Sequence, residues 1–410
     1  MEDFWERAHQ RMIERYGKEA NVGILDRFYS EKKFFSSDLN NWFLSLIGSL
    51  AMYAEEQGEL ISFFGGYGSL FSAYLAGITE VNPLPLHYYC PHCRRMEYVS
   101  AKRTPLDLEE KRCTCGTAML SDGYDIPFEL VWELKESPCA RIEVTQRFLE
   151  RAKEFVKANV GEKYKIHEVL VTDKECANYL VIVPLDINPD EISCDLWQLV
   201  TSYPCVCLLV SQNLGVIEVL EKKTGISQKS ISLRDDRLLR RVLAGEVDTK
   251  ASAYSERWVS FVQSEKPKTV AELIKIHGLL WGENAYEQNR MKLIANGHVL
   301  EELPIYREEL FADICKKMRK HGAFGTGLAA HLTTVVRQGK GEKYYELLQG
   351  VLKELDFDAA YIDYLVHTRY MFVKACGIAL IRRCMRLLWY SIYAPKTYRD
   401  VLQTISVEQE

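Results

Sequence analysis

Four cysteines carry the clearest chemistry in the sequence. They form a C-x-x-C pair and, nineteen residues later, a C-x-C pair: Cys90, Cys93, Cys113 and Cys115. Two such pairs are typical of a zinc ribbon, in which four thiolates bind Zn²⁺ tetrahedrally and leave no position open for a substrate. The spacing therefore predicts a structural zinc site. His87 or His92 could replace a cysteine of the tighter second pair, and four free cysteines are the other alternative.

A glycine-rich turn precedes these cysteines. The segment 64–70 reads F-G-G-Y-G-S-L, follows an apolar run and leads into a helical segment. Gly65, Gly68 and Ser69 would let the backbone turn sharply, and the N–H groups at a helix start can bind a phosphate. The turn is therefore either a nucleotide-binding loop or a scaffold of the same shape.

Two basic stretches, 315–343 and 365–400, supply candidate contacts to nucleic acid. The whole chain has a net charge of −5, so affinity for a polyanion must come from such local clusters. The candidates are Arg337, Lys340, Arg369, Lys374, Arg382, Arg383 and Arg386, with Tyr370 and Phe372 as side chains that could stack on bases. Solvated helix faces, and core packing for the last three arginines and the aromatic residues, are the alternatives.

The composition is that of a folded protein with more than one domain. Its 410 residues are 47% hydrophobic and 27% charged, enough for roughly two or three hydrophobic cores. No apolar run reaches the roughly 20 residues that a membrane span needs, and the acidic, aromatic start does not resemble a signal peptide. We therefore expect a cytoplasmic protein without membrane contacts, in which the scattered cysteines are reduced and buried.

The elements that would position these residues change in type along the chain. Residues 1–62 are predicted to form a helical N-terminal segment. Residues 63–227 are predicted to be an α+β domain, with a cysteine-rich insert at 86–120 and strands in FELVWEL, YLVIVPL, PCVCLLV and GVIEVLE. Residues 228–410 are predicted to be helical throughout.

Several segments closely resemble one protein family. The matching segments are 77–93, 122–129, 266–297, 335–341 and 360–380. They resemble the alpha subunit of bacterial DNA polymerase III of the PolC type, a C-family replicative polymerase. The resemblance implies a mixed-sheet, nucleotidyltransferase-like palm with a zinc-ribbon insert, followed by an all-helical, fingers-like domain. It also implies DNA, primer-template or single-stranded, as a partner, together with replication proteins. No clamp-binding motif is recognised, and we expect a reduced core without the family's flanking domains.

The resemblance places unusual residues at the family's metal-binding positions. The first two family aspartates correspond to Cys139 and Arg141, or in a second register to Arg141 and Glu143. The third aspartate corresponds to Cys207. In addition, Phe64 stands for the arginine of the family's nucleotide loop, and Cys176 for a histidine. Carboxylates are what hold the two metal ions in phosphoryl transfer, so these replacements remove most of the expected ligands.

The resemblance therefore predicts a catalytically inactive pseudo-polymerase that binds DNA or a replication partner. Glu143 and Asp195 are then weak remnants of a metal site, and Mg²⁺ is needed only if catalysis survives. Two alternatives stay open. One is an active DNA polymerase or nucleotidyltransferase with a metal site rebuilt from Glu143, Asp195 or Asp125. The other is an interaction scaffold stabilised by zinc.

Overall fold

The fold combines a mixed β-sheet with many helices, as the sequence predicts. The structure is a computed structural model, and it describes residues 4–18, 20–135, 138–172, 177–187, 196–247, 255–281 and 297–407. Asp195 and Cys176 lie outside these residues. Within the described part, no helix is both long and apolar enough to cross a membrane.

The central sheet has five strands, and it is mixed because one pair of neighbouring strands is parallel. In spatial order the strands are β1 (Ile61–Phe64), β6 (Cys139–Val144), β9 (Cys205–Val210), β8 (Ala177–Pro184) and β7 (Tyr164–Val171). Strands β6 and β9 run parallel, and the other pairs are antiparallel. Alternation along β6 gives the sheet two different faces. Ala140, Ile142 and Val144 are buried on one face, whereas Arg141 is exposed on the other.

Helices from both sides of β6 in the sequence cover the apolar face of this sheet. They are α1 (Phe4–Tyr16), α2 (Val22–Phe34), α3 (Asp38–Glu56) and α5 (Leu149–Asn159). Their buried residues, such as Phe43 and Val156, form one continuous core with Ile142 of β6 and Leu208 of β9. The N-terminal helices and the sheet therefore stabilise each other.

The cysteine-rich insert forms a small antiparallel sheet. Its spatial order is β3 (Met96–Tyr98), β2 (His87–Tyr89), β5 (Ala118–Asp122) and β4 (Lys111–Arg112). The insert also reaches the helical part of the chain. Asp107 Oδ1 accepts a hydrogen bond of 2.6 Å from Val270 N, and Oδ2 accepts one of 3.1 Å from Ala271 N. Asp107 thus caps a helix that begins at Val270.

The described residues after 228 contain helices and no strand of their own. The remaining α-helices in the described residues are α4 (Phe71–Leu75), α6 (Leu196–Ser202), α7 (Gln212–Thr224), α8 (Asp236–Leu243), α9 (Glu256–Glu265), α10 (Val270–Trp281), α11 (Arg307–Lys320), α12 (Gly327–Arg337), α13 (Tyr345–Glu354), α14 (Ala359–His367), α15 (Lys374–Tyr393) and α16 (Pro395–Val407). Helix α15 lies at the centre, because almost all of its circumference is buried against its neighbours.

Two predicted strands are wrong. FELVWEL is a 3₁₀ helix, Phe128–Lys135, in which Leu130 belongs to the core around α15 and Val131 to the core under the sheet. GVIEVLE lies within α7, where Val216, Ile217 and Leu220 are buried on one helical face. Short apolar runs do not distinguish a strand from a buried helix, and tertiary packing decides between them. The strand β7 was not predicted.

Candidate functional site

The positions expected to hold catalytic metal ions meet on adjacent strands. Arg141 of β6 lies directly opposite Cys207 of β9, and Cys139 lies opposite Cys205. On the other sides, Phe64 pairs with Arg141 and Tyr179 with Cys207. The family alignment thus selects residues that are real neighbours on one face of the sheet. Their chemistry is a guanidinium, thiols and aromatic rings in place of carboxylates.

The thiol at the third metal position is buried and protonated. Burial raises the pKa of Cys207 to about 12, although the nearby Arg141 acts in the opposite direction. Burial likewise raises the pKa of Tyr179, which lies beside the thiol, to about 12. A neutral thiol is a poor ligand for Mg²⁺, which prefers oxygen atoms.

Glu143 lies on the same face of β6, but its carboxylate is engaged by a helix. Glu143 Oε2 forms an ion pair with Arg383 Nη2 of α15. Burial lowers the pKa of Arg383, but the Glu143 carboxylate outweighs this effect and raises it. Arg383 Nη1 also donates to Ser211 Oγ at 3.3 Å. Glu143 therefore ties the sheet to α15.

Acidic side chains do not converge on a metal site in the described residues. Asp125, another candidate ligand, lies in the turn after β5 with a φ of 51° and lines other cavities. Across the part of the chain that the structure covers, one group of three or more His, Cys, Asp or Glu side chains is arranged to hold a metal ion, and it consists of the four cysteines of the insert.

These four thiols fit a zinc ion. The Sγ atoms of Cys90, Cys93, Cys113 and Cys115 all lie within 4.8 Å of one another. The pairs Cys90–Cys115 and Cys93–Cys113 are 3.6 and 3.4 Å apart. Tetrahedral Zn–S bonds of about 2.3 Å would separate the sulfur atoms by about 3.8 Å. The cluster can therefore hold Zn²⁺.

Neither histidine is needed to complete this cluster. His87 is buried, and its Nδ1 lies 2.7 Å from the carbonyl oxygen of Pro85. His92 is exposed and is not a member of the group. Hydrogen bonds from Thr117 lower the pKa of Cys115 to about 5, which favours the thiolate form that binds metal.

The glycine-rich turn is used for internal packing. Gly65, with a φ of 73°, donates its N–H to Cys376 Sγ of α15 at 2.9 Å. A Cβ on Gly68 would lie only 3.0 Å from the carbonyl oxygen of Phe63. Ser69 is buried, and its carbonyl oxygen accepts from Arg27 Nη2 at 3.2 Å. These contacts account for the glycines, and the nucleotide-loop role of Gly65, Gly68 and Ser69 stays a prediction.

A carboxylate of the protein already occupies the helix start behind this turn. Glu31 Oε1 accepts from Phe71 N at 2.9 Å, and Oε2 accepts from Ser72 N at 2.8 Å. Glu31 is fully buried and pairs with Arg27 at 2.7 Å. The N–H groups that a phosphate would use at α4 therefore bind Glu31.

The three arginines of α15 pair with carboxylates of the protein itself. Arg383 binds Glu143. Arg386 forms two bonds with Glu80, one of them Nη1–Oε1 at 2.7 Å. Arg382 Nη2 lies 3.2 Å from Glu80 Oε2. Although burial raises the pKa of Glu80, both arginines hold it well below its usual range. These contacts favour the alternative that the three arginines pack within the protein. Their contact with DNA stays a prediction.

The other four cations lie at the ends of helices in the helical part. Arg337 ends α12 and Lys374 begins α15, while Lys340 and Arg369 are exposed in turns. The glycines beside Lys340 bring these turns together. A Cβ on Gly339 would lie 2.5 Å from the carbonyl oxygen of Arg369. The glycine spacing thus serves close packing, which places Lys340 and Arg369 on neighbouring turns.

The charge of Arg141 on the sheet acts on Tyr370 in this helical part. Burial raises the pKa of Tyr370, whereas the charges of Arg307, Arg141 and Arg337 lower it. All three guanidinium groups therefore act on one phenol, which is 40% exposed. We refer to Arg141, Arg337, Lys340, Arg369 and Tyr370 as the basic surface.

Comparison with known proteins gives a consistent relationship. No family model matches the chain. A protein of Ureaplasma parvum named DNA polymerase III PolC-type is 25% identical over 414 residues, which cover 82% of this chain and 28% of that protein. The PolC-type polymerase of Lacticaseibacillus paracasei is 23% identical, over 96% of this chain and 32% of its own length. The one from Clostridium perfringens is 25% identical, over 92% and 31%.

The chain is a PolC-like relative. It spans about a third of the length of the curated PolC-type proteins that it matches. The resemblance recognised in the sequence is therefore confirmed, and the likeness extends over most of this PolC-like chain.

Sequence patterns do not indicate several residues of the candidate site. The sequence indicates Arg141 as a replaced metal ligand and not as part of a basic surface, and it does not indicate Arg307. Glu80 and Glu31, which bind arginines and backbone N–H groups, were also missed. Arg386 is 306 residues from Glu80, and the Phe71 and Ser72 N–H groups are 40 and 41 residues from Glu31, so no local pattern indicates these contacts.

Proposed function

We propose that this PolC-like protein binds DNA and does not catalyse nucleotidyl transfer. The observation that carries the proposal is the pairing of Arg141 with Cys207 on neighbouring strands, with Glu143 bound to Arg383. Two-metal catalysis requires carboxylates that hold two cations about 4 Å apart. A guanidinium at one of those positions repels divalent cations and attracts phosphate instead.

The proposed DNA contact is the basic surface. Lys340 and Arg369 are exposed, and Arg141 extends the same positive region onto the sheet. Such a cluster binds the DNA backbone through phosphate contacts that release counterions, even in a protein with net negative charge. Primer-template and single-stranded DNA both offer this backbone. Lys374, whose N–H donates to Glu308 Oε2 at 3.1 Å, extends the surface at the start of α15.

We further propose the family's division of the chain. Residues 63–227 correspond to a degenerate nucleotidyltransferase palm that includes the insert 86–120, residues 228–410 to a fingers-like domain, and 1–62 to an N-terminal helical segment. Zn²⁺ is the proposed cofactor, bound by the four cysteines in a structural role. Replication proteins are the proposed macromolecular partners besides DNA.

DNA binding can be tested by fluorescence anisotropy over a range of salt concentrations. We expect the wild-type protein to bind labelled primer-template with an affinity that falls as salt rises. The replacements Lys340→Ala and Arg369→Ala should each weaken binding and reduce the salt slope by about 0.9. Lys223→Ala removes an exposed cation on α7, outside the basic surface, and should leave both quantities unchanged. Salt-independent or absent binding would refute the DNA contact.

Catalytic silence can be tested by primer extension with Mg²⁺ and with Mn²⁺. We expect no incorporation of nucleotides. Incorporation that Glu143→Ala abolishes would overturn the proposal and support a rebuilt metal site.

A further inference from the structure

The loop between α11 and α12 presents an aromatic ring to solvent. Phe324 is 79% exposed, and it has no polar atom that would favour this position. Exposing a phenylalanine side chain forgoes roughly 2 kcal/mol of burial. Single exposed apolar side chains are common at protein surfaces, so the significance of Phe324 depends on the charged residues around it.

The backbone before this ring forms a regular helix end. Gly322, with a φ of 75°, donates its N–H to Arg319 O at 3.1 Å, and Ala323 N donates to Met318 O at 2.9 Å. This pattern is a Schellman-type end to α11. Phe324 follows immediately, and α12 begins three residues later at Gly327. The ring is therefore presented on a short connection between two helices.

The surroundings of Phe324 favour a polyanion. From 314 to 341 the sequence contains no aspartate or glutamate, and it contains six lysines and arginines. Lys316, Arg319 and Lys320 are exposed near the end of α11. Lys317 and His321 are engaged with Asp356, through its carbonyl oxygen at 2.6 Å and its carboxylate at 2.9 Å.

Helix α12 links this loop to the basic surface. Leu328, His331 and Gln338 are exposed, and Thr334 between them is half-buried, so one face of the helix is open from end to end. The helix has 11 residues and is about 16 Å long. At the spacing of about 3.4 Å per nucleotide that a strand has in duplex DNA, this length corresponds to about five nucleotides.

We propose that a single strand of nucleic acid lies along α12, with a base stacked on Phe324 and phosphates bound by Lys320 and Lys340. Stacking on an exposed aromatic ring beside cations is the general mode of binding single strands without sequence preference. This proposal rests on the DNA binding proposed above and adds the strandedness of the ligand: single-stranded segments rather than duplex make the aromatic contact.

The test compares an oligothymidylate, long enough for a site of about 4–16 nucleotides, with a duplex of equal length. Phe324→Ala should lower the affinity for the single strand by about 5- to 100-fold, because a base loses its stacking partner. Its salt slope should be unchanged, since no phosphate contact is removed. Phe324→Trp should keep the affinity, whereas Lys320→Ala should reduce the slope by about 0.7.

Tyr29→Ala is the matched control, because Tyr29 is a 50% exposed aromatic residue on α2. It should bind like the wild type. An oligonucleotide with 2-aminopurine should change fluorescence with the wild type and not with Phe324→Ala. If Phe324→Ala binds the single strand as tightly as the wild type, while Lys340→Ala and Arg369→Ala are impaired, the stacking proposal fails and the proposed function stands. An equal loss for duplex and single strand also refutes stacking. If the wild type binds neither, both proposals fail, and the exposed ring is left as a surface for a protein.

Discussion

At the scale of single residues, replacing Glu143 can distinguish a structural role of this residue from a catalytic one. It is the one carboxylate retained among the aligned metal positions that the structure describes, and it forms an ion pair with the buried Arg383. A buried pair adds little stability over a well-packed apolar pair, but removing one partner leaves an uncompensated charge. A metal ligand behaves differently, because its loss removes ion binding and leaves the fold largely intact.

Glu143→Gln should therefore lower the free energy of unfolding by about 3 kcal/mol, because Arg383 loses its counter-charge. Urea denaturation followed by circular dichroism measures this change. Glu168→Gln is the control, since Glu168 pairs with Lys157 at the surface, where a pair contributes about 0–1 kcal/mol. A Glu143→Gln protein of unchanged stability would show that the ion pair is not structural.

At the scale of elements, α10 and α15 pack closely against Tyr306, because each has a glycine facing it. Tyr306 precedes α11, is fully buried, and donates its hydroxyl to Ile274 O of α10 at 2.6 Å. A Cβ on Gly278 of α10 would lie 2.6 Å from the ring. A Cβ on Gly377 of α15 would overlap with the hydroxyl. The glycines therefore determine how closely α10 and α15 can pack.

Gly377→Ala should destabilise the protein by about 1–3 kcal/mol through overpacking, although alanine has the higher helix propensity. Gly350→Ala provides the matched comparison, because Gly350 lies inside α13, where a Cβ would meet no atom within 4 Å. That change should stabilise by about 0.5–1 kcal/mol. Thermal unfolding of the two variants measures the difference. Equal shifts in both would contradict the role assigned to Tyr306.

At the scale of the whole molecule, stability should depend on pH through a buried histidine. Burial lowers the pKa of His277 on α10 to about 3, whereas an unfolded histidine has a pKa of about 6.5. Between these values the unfolded chain binds a proton that the folded protein excludes. Stability is therefore lost as the pH falls below about 6.5, by up to about 1.4 kcal/mol per pH unit.

His277→Gln should remove this part of the pH dependence, which denaturation curves at pH values between about 4 and 7 measure. His331→Gln, at an exposed position on α12, should leave the wild-type dependence in place. An unaltered pH profile in His277→Gln would show that other groups cause the acid sensitivity.

Much of the architecture follows from the sequence. The cysteine spacing predicted the four-thiol cluster, and the family resemblance assigned Arg141 and Cys207 to metal-binding positions, which lie opposite each other on adjacent strands. The sequence could not show which residues far apart in the chain would contact each other. Glu31 fills the N-terminus of α4, and Glu80 binds arginines of α15, through contacts that depend on the folded chain. The glycines at 339 and 341 resemble a phosphate-binding turn, but they allow backbone packing against Val366 and Arg369.

If the insert binds the proposed Zn²⁺, the Asp107 cap of α10 would link metal supply to protein synthesis. Asp107 leaves the ribosome 163 residues before Val270, and it later accepts a hydrogen bond from the Val270 N–H. All four thiols and all strands of the insert are translated by residue 122, so Zn²⁺ can fold the insert while the helical part is still being made. When α10 emerges, its capping carboxylate is already in position. Zinc available during translation, rather than afterwards, would therefore determine whether α10 meets a folded cap as it forms.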